Sequence, residues 1–172
     1  SYLRYPTNVK LLWESVEWLH RLMGHLCKQV RVPVPRSKYL KWKKRYVSYS
    51  KMRRKTKKKK RALTRGLLLL LKKFSDELDH LEARYGMVMT KDQYRRRATA
   101  KKIYGQQHAY FYRGIKPKAR IVSLDKDYIR PIVRGKETKA VEFGAKVNKF
   151  QIDGIGFIEH LSFGAFHEGN RF

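Results

Sequence analysis

The residues with the clearest chemistry form one run, Arg53-Arg54-Lys55-Thr56-Lys57-Lys58-Lys59-Lys60-Arg61, in which eight of nine residues are basic. No aspartate or glutamate occurs from Trp18 through Ser75, so little of that charge is neutralised within its own segment. Ammonium and guanidinium groups at this density neutralise phosphates as point charges and release condensed counterions. Such contacts position a polyanion without reading its sequence. The whole chain carries a formal charge of +28, so the run is the peak of a general bias. Nucleic acid is the expected partner, and an anionic membrane surface comes second. The alternative reading of the run itself is a solvated, self-repelling loop.

Other reactive side chains are dispersed. Arg95-Arg96-Arg97 forms a second basic cluster. The six histidines (His20, His25, His80, His108, His160 and His167) share no spacing with Cys27 that suits zinc, so no metal site is expected. Asp125, Asp127, Asp153, Glu142, Glu159 and Glu168 are scattered, whereas two-metal phosphoryl transfer needs carboxylates converging on ions about 4 Å apart. No glycine loop for phosphate and no serine or cysteine nucleophile motif is present, so no catalytic residue is expected in this chain. Cys27 is the only cysteine, which excludes an intrachain disulfide, and Leu26 and Val30 beside it suggest a buried thiol.

Helices must position the basic run. Leu12, Val16, Leu19, Met23, Leu26 and Val30 recur at three- and four-residue steps, predicting an amphipathic helix from Asn8 to about Val30, capped by Thr7 or Asn8. Pro33 and Pro35 break it. Ser37 can cap a second helix, with Tyr39, Trp42, Tyr46 and Tyr49 on one face, read as a core stripe with nucleic-acid stacking as the alternative. The run that follows has no apolar face, so an exposed turn is expected near Thr56. A third helix then extends to about Tyr85 through Leu63, Leu67, Leu70, Phe74, Leu78 and Leu81. Helices two and three would form an antiparallel hairpin with a basic tip. Gly86 stops the third helix. Thr90-x-x-Gln93 is a capping box for a fourth, which Gly114 and Pro117 close.

Beyond Pro117 the period changes to alternation. Ala119–Leu124 is a strand candidate, and Val141, Phe143, Ala145 and Val147 alternate with polar residues. Asp153-Gly154 between two apolar runs predicts a hairpin with a type I′ turn. The chain is therefore expected to be α+β: a basic helical hairpin or bundle over residues 1–114, then a small antiparallel β unit over 115–172.

Hydrophobic residues make up 42% of the chain, too many for a disordered basic tail. The opening residues Ser1–Lys10 include charges and Pro6 and do not read as a secretory signal. Leu67–Leu71 is far short of the ~20 apolar residues of a membrane span.

Three segments resemble the bacterial insertion-sequence transposases of the DDE type. They are Leu3-Arg-Tyr-Pro-Thr-Asn-Val-Lys-Leu-Leu-Trp-Glu14, Arg130-Pro-Ile-Val-Arg-Gly-Lys136 with Val141-Glu-Phe-Gly-Ala-Lys146, and Leu161-Ser-Phe-Gly-Ala-Phe-His-Glu168. The resemblance implies that the β unit is part of an RNase H-like core and that the helices are an insertion within it. In that family three carboxylates hold Mg²⁺ or Mn²⁺ for DNA strand cleavage and transfer. The resemblance places those carboxylates outside this chain, so the chain alone is expected to bind transposon DNA without cutting it. Glu168 matches an acidic position of the family but is not assigned to its metal site. The expected DNA contacts are Arg53, Arg54, Lys55, Lys57, Lys58, Lys59, Lys60, Arg61, Arg95, Arg96, Arg97, Arg130, Arg134, Lys136 and Lys146. Ordinary strand-edge charge is the alternative for Arg130, Arg134, Lys136 and Lys146. The expected partners are transposon ends, and either the remaining transposase segments or a second copy. The expected location is the bacterial cytoplasm.

Two rivals belong to other classes. A basic RNA-binding protein of ribosomal style fits the charge, size and lone cysteine. A membrane-surface binder fits poorly, because the basic tip lacks interleaved aromatics or leucines.

Overall fold

A computed structural model describes residues 7–133 and 141–164 of the chain. It is α+β, with helices α1 (Asn8–Gln29), α2 (Tyr39–Lys51), α3 (Lys57–Tyr85) and α4 (Lys91–Arg113) followed by strands β1 (Pro131–Val133), β2 (Val141–Phe143), β3 (Lys146–Ile152) and β4 (Ile155–Ser162). The chain divides into two compact units between Pro117 and Lys118.

The helices begin and end where local chemistry requires. Thr7 Oγ1 accepts from the Lys10 amide at the start of α1, and Thr56 Oγ1 accepts from the Lys59 amide at the start of α3. At α4 the capping box is complete: Thr90 Oγ1 accepts from Gln93 N, and Gln93 Oε1 accepts from Thr90 N. Gly86 and Gly114 end α3 and α4 at φ 59° and 70°, a left-handed conformation that costs glycine little. Ser37 Oγ accepts from the Tyr39 amide, although Lys38 holds the N-cap position of α2.

The helical core is built on α1 and α3. Leu11, Leu12, Val16, Leu19, Met23 and Leu26 from α1 are buried, as are Leu63, Leu67, Leu71, Phe74 and Leu78 from α3. The leucine run behaves as a helix face: Leu67, Leu68, Leu70 and Leu71 are buried while Leu69 points outward at 61% exposure. Cys27 is buried and unpaired, and burial raises its thiol pKa.

The aromatic stripe of α2 seals this core. Tyr39 and Tyr49 are buried, and Tyr46 stacks on Trp13 with ring centres 4.8 Å apart. Tyr39 lies 3.7 Å from the His20 ring and almost parallel to it, with Phe74 tilted behind. Trp42 crosses α3 at Gly66, where a Cβ would lie 1.9 Å from Trp42 Cη2. Glycine is thus required at that crossing by the indole, not by backbone conformation.

The β unit departs from expectation in two places. Ala119–Leu124 forms no strand; Ile121 and Val122 are consecutive and both buried, which a strand covered on one face does not allow. The alternating run through Val147 is interrupted by Gly144 at φ 147°, so β2 pairs with β1 and β3 pairs with β4, both antiparallel. The turn between β3 and β4 is as expected: Asp153 and Gly154 have φ 50° and 80°, and Ile152 faces Ile155 across it. Phe150, Ile152, Ile155 and Phe157 share one face of this hairpin and are all exposed.

Candidate nucleic-acid interface

α2 and α3 form the antiparallel hairpin. Lys73 Nζ donates to the Arg36 carbonyl at 2.7 Å, Trp42 meets Gly66, and Lys59 Nζ reaches Met52 Sδ at 3.9 Å. Residue numbers rise along one helix as they fall along the other. The turn lies between Met52 and Thr56, and every residue from Arg53 to Arg61 is exposed. The basic run is thus split: Arg53–Lys55 form the turn, and Lys57–Arg61 form the first turn and more of α3.

The charge is held in place without being neutralised. Carboxylates are missing from this stretch, and aromatic faces take their place. Lys43 lies over Tyr39, Arg45 over Trp42 at 4.9 Å, Lys55 over Tyr49 at 5.8 Å, and Arg61 over Phe111 at 5.6 Å. A ring quadrupole attracts a cation but leaves its net charge intact. A groove between α2 and α3 continues the surface, with Tyr49, Met52 and Leu63 in its walls and Lys44, Arg45 and Lys59 among its lining. Lys43, Lys44, Arg45 and Arg65 extend the basic surface beyond the run. The signal for them was already visible, since all four fall within the carboxylate-free window.

The lysines of α3 also sit against their own helix. Its first turn contains no acidic residue, so Lys57–Lys60 crowd the positive end of the helix dipole. By contrast α4 carries Asp92 in its first turn, the arrangement the dipole favours.

The second basic cluster does something different. Arg97 is 6% exposed and inserted between α3 and α4. Its guanidinium donates to Asp79 and, at 2.6 Å, to Glu82 Oε2. Lys101 Nζ holds the other side of Asp79 at 2.8 Å, and Tyr94 Oη donates to Glu82 Oε1 at 2.8 Å. Burial pushes the Asp79 carboxyl up, but the hydrogen bonds from Lys101 and Arg97 outweigh it and leave its pKa below the ordinary carboxylate range. Bonds from Tyr94 and Arg97 depress Glu82 in the same way. Arg97 therefore has no surface to offer a phosphate, contrary to the sequence expectation. Arg95 and Arg96 both pair with Asp92, at 2.8 and 2.9 Å.

These pairs also fix the distance between the clusters. α4 runs antiparallel to α3, so Arg95–Arg97 lie beside Asp79 and Glu82, about 20 residues along α3 from Lys59. At ~1.5 Å per residue that is roughly 30 Å. The two clusters are separate, and the turn and its flanks form a continuous basic surface.

In the β unit, Arg130 Nη1 donates to the Asp127 carbonyl and, at 3.1 Å, to that of Ile129. Lys146 opens β3 opposite Ser162 and is half-buried. Arg134, Lys136 and Glu168 lie outside the described residues. Among the described residues no three His, Cys, Asp or Glu side chains stand close enough to hold a metal ion. No described helix is long and apolar enough to cross a membrane.

No protein-family model, curated protein or solved structure matches this chain.

Proposed function

We propose that this chain grips duplex DNA through the α2–α3 turn, as the DNA-holding part of a DDE-type transposase acting on transposon ends. The observation that carries the reading is the exposed, carboxylate-free surface from Arg53 to Arg61, held on a hairpin that is itself packed into the helical core. A solvated loop would have no such support. Here Trp42, Tyr46 and Tyr49 anchor one arm of the hairpin and Leu63 and Leu67 the other. The resemblance of the Arg130–Lys136, Val141–Lys146 and Leu161–Glu168 segments supplies the transposase assignment and the RNase H-like context. Residues Arg53, Arg54, Lys55 and Lys57–Arg61 hold phosphates in this reading. No cleavage step is assigned to any residue of the chain.

Salt-dependent binding tests it. Six engaged phosphates give a slope of log Kobs against log salt near about −5, by the ~0.9 per phosphate rule. Replacing Lys57, Lys58, Lys59 and Lys60 with glutamine lowers the magnitude of that slope by roughly 3 to 4. An unchanged slope overturns the assignment of the turn. Binding of ribosomal RNA with indifference to duplex DNA at moderate salt supports the ribosomal-style reading instead.

A further inference from the structure

Where α3 and α4 run side by side toward the tip, beyond the cavity lined by Asp79, Arg97 and Lys101, their neighbouring stripes, called the groove below, carry a second kind of surface. Tyr104, His108 and Tyr112 recur every four residues on α4 and touch in sequence, with ring centres 5.4 and 4.6 Å apart. Tyr112 is 51% exposed, and Phe111 meets it edge-on at 4.8 Å. Helical periodicity puts this ladder on the stripe that begins with Lys101, whose ammonium binds Asp79 of α3. The facing stripe of α3 runs from Asp79 back through Lys72 to Arg65 and Arg61. Arg61 closes the geometry by lying over Phe111. Asp76 pairs with Lys72, and from there to the tip neither helix contributes a carboxylate to the groove. One wall is therefore guanidinium and the other is aromatic.

We infer that this groove binds single-stranded nucleic acid, with bases stacked on Tyr112, His108 and Tyr104 and phosphates on Arg61 and Arg65. Single strands are the occupant because their base faces are free to stack, whereas a duplex hides those faces inside. Stacking of this sort tolerates any sequence. The inference goes beyond duplex gripping by the α2–α3 turn, since the aromatic ladder lies on α4, although Arg61 on α3 is shared by the two surfaces.

The test compares an oligo-dT strand of about 20 nucleotides with a duplex of the same length at fixed salt, using the full chain and fluorescence anisotropy. Tyr112→Ala weakens the single strand roughly tenfold and leaves the duplex within about twofold. His108→Ala acts in the same direction. Tyr112→Trp retains the ring and keeps single-strand affinity, which separates stacking from any loss of folding. Equal losses on both ligands with Tyr112→Ala, or no loss on either, overturn the inference.

Discussion

Replacing Arg97 with methionine separates a structural arginine from a phosphate-binding one. The side chain is 6% exposed and makes two charged hydrogen bonds, to Asp79 and Glu82. Each such bond contributes about 1.5–3 kcal/mol when the partner is otherwise unsatisfied. The carboxylates are 47% and 33% exposed, so both regain water when the guanidinium leaves. Lys101 also stays on Asp79. The expected cost is therefore about 2 kcal/mol, below the ~3–5 kcal/mol of a fully buried pair that loses one member. For a helical unit of this size that lowers the melting temperature by roughly 8 °C. Arg97→Lys falls between, because an ammonium cannot span two carboxylates in the guanidinium's planar geometry. Far-UV circular dichroism reads the melt, and duplex anisotropy on the folded variant reads binding. Binding should move less than about twofold, the effect of one remote charge under screening. An unchanged melt with a tenfold loss of DNA affinity would refute the reasoning and return Arg97 to the interface.

Two further outcomes follow from the core. Gly66→Ala gains about 1 kcal/mol of helix propensity but overpacks against Trp42 at a cost of about 1–3 kcal/mol. The variant should be less stable than the parent, and the same change in a Trp42→Ala background should be neutral or stabilising; a stabilising effect with Trp42 present contradicts the crossing. His20 is held neutral by burial and by Lys43, with Glu17 opposing, so its folded pKa lies below the ordinary imidazole value. Because the unfolded chain binds the proton first, stability falls as pH drops from about 6.5 toward the folded value. Chemical denaturation from pH 7 to pH 5 should show that decline, flattened in His20→Phe, and an equal slope in both proteins would remove His20 as its source. Loss of the Asp79 and Glu82 bonds adds a separate decline only where carboxylates protonate, below about pH 4.5.

The helical half of the chain was largely legible because short-range chemistry decides it. Thr7, Thr90, Gly86 and Gly114 mark helix ends by what their side chains or missing side chains do within a few residues, and the exposed turn expected near Thr56 lies where α3 starts. The Asp153-Gly154 turn was legible for the same reason. Arg97 was not: its partners lie 15 and 18 positions away in sequence, and nothing in a triplet of arginines tells which one faces the neighbouring helix. Gly66 was equally silent, since its role exists only once Trp42 lies across it. Ala119–Leu124 misled because an apolar run records burial, and burial alone does not require a ladder. The Val141–Val147 alternation misled because it ran across Gly144, where the backbone turns.

The first turn of α3 has a consequence for how the chain would respond to an anion. Four lysines there repel one another and oppose the helix's own field, while the Thr56 hydroxyl caps the end through the Lys59 amide. Like charge crowded at the positive end of a helix dipole disfavours the wound first turn relative to an unwound one. A phosphate arriving at those amides and ammoniums favours the wound form alone. Occupancy would be written into the helix as added length, and Arg61, one residue beyond those lysines, would carry that ordering onto Phe111 and the end of α4.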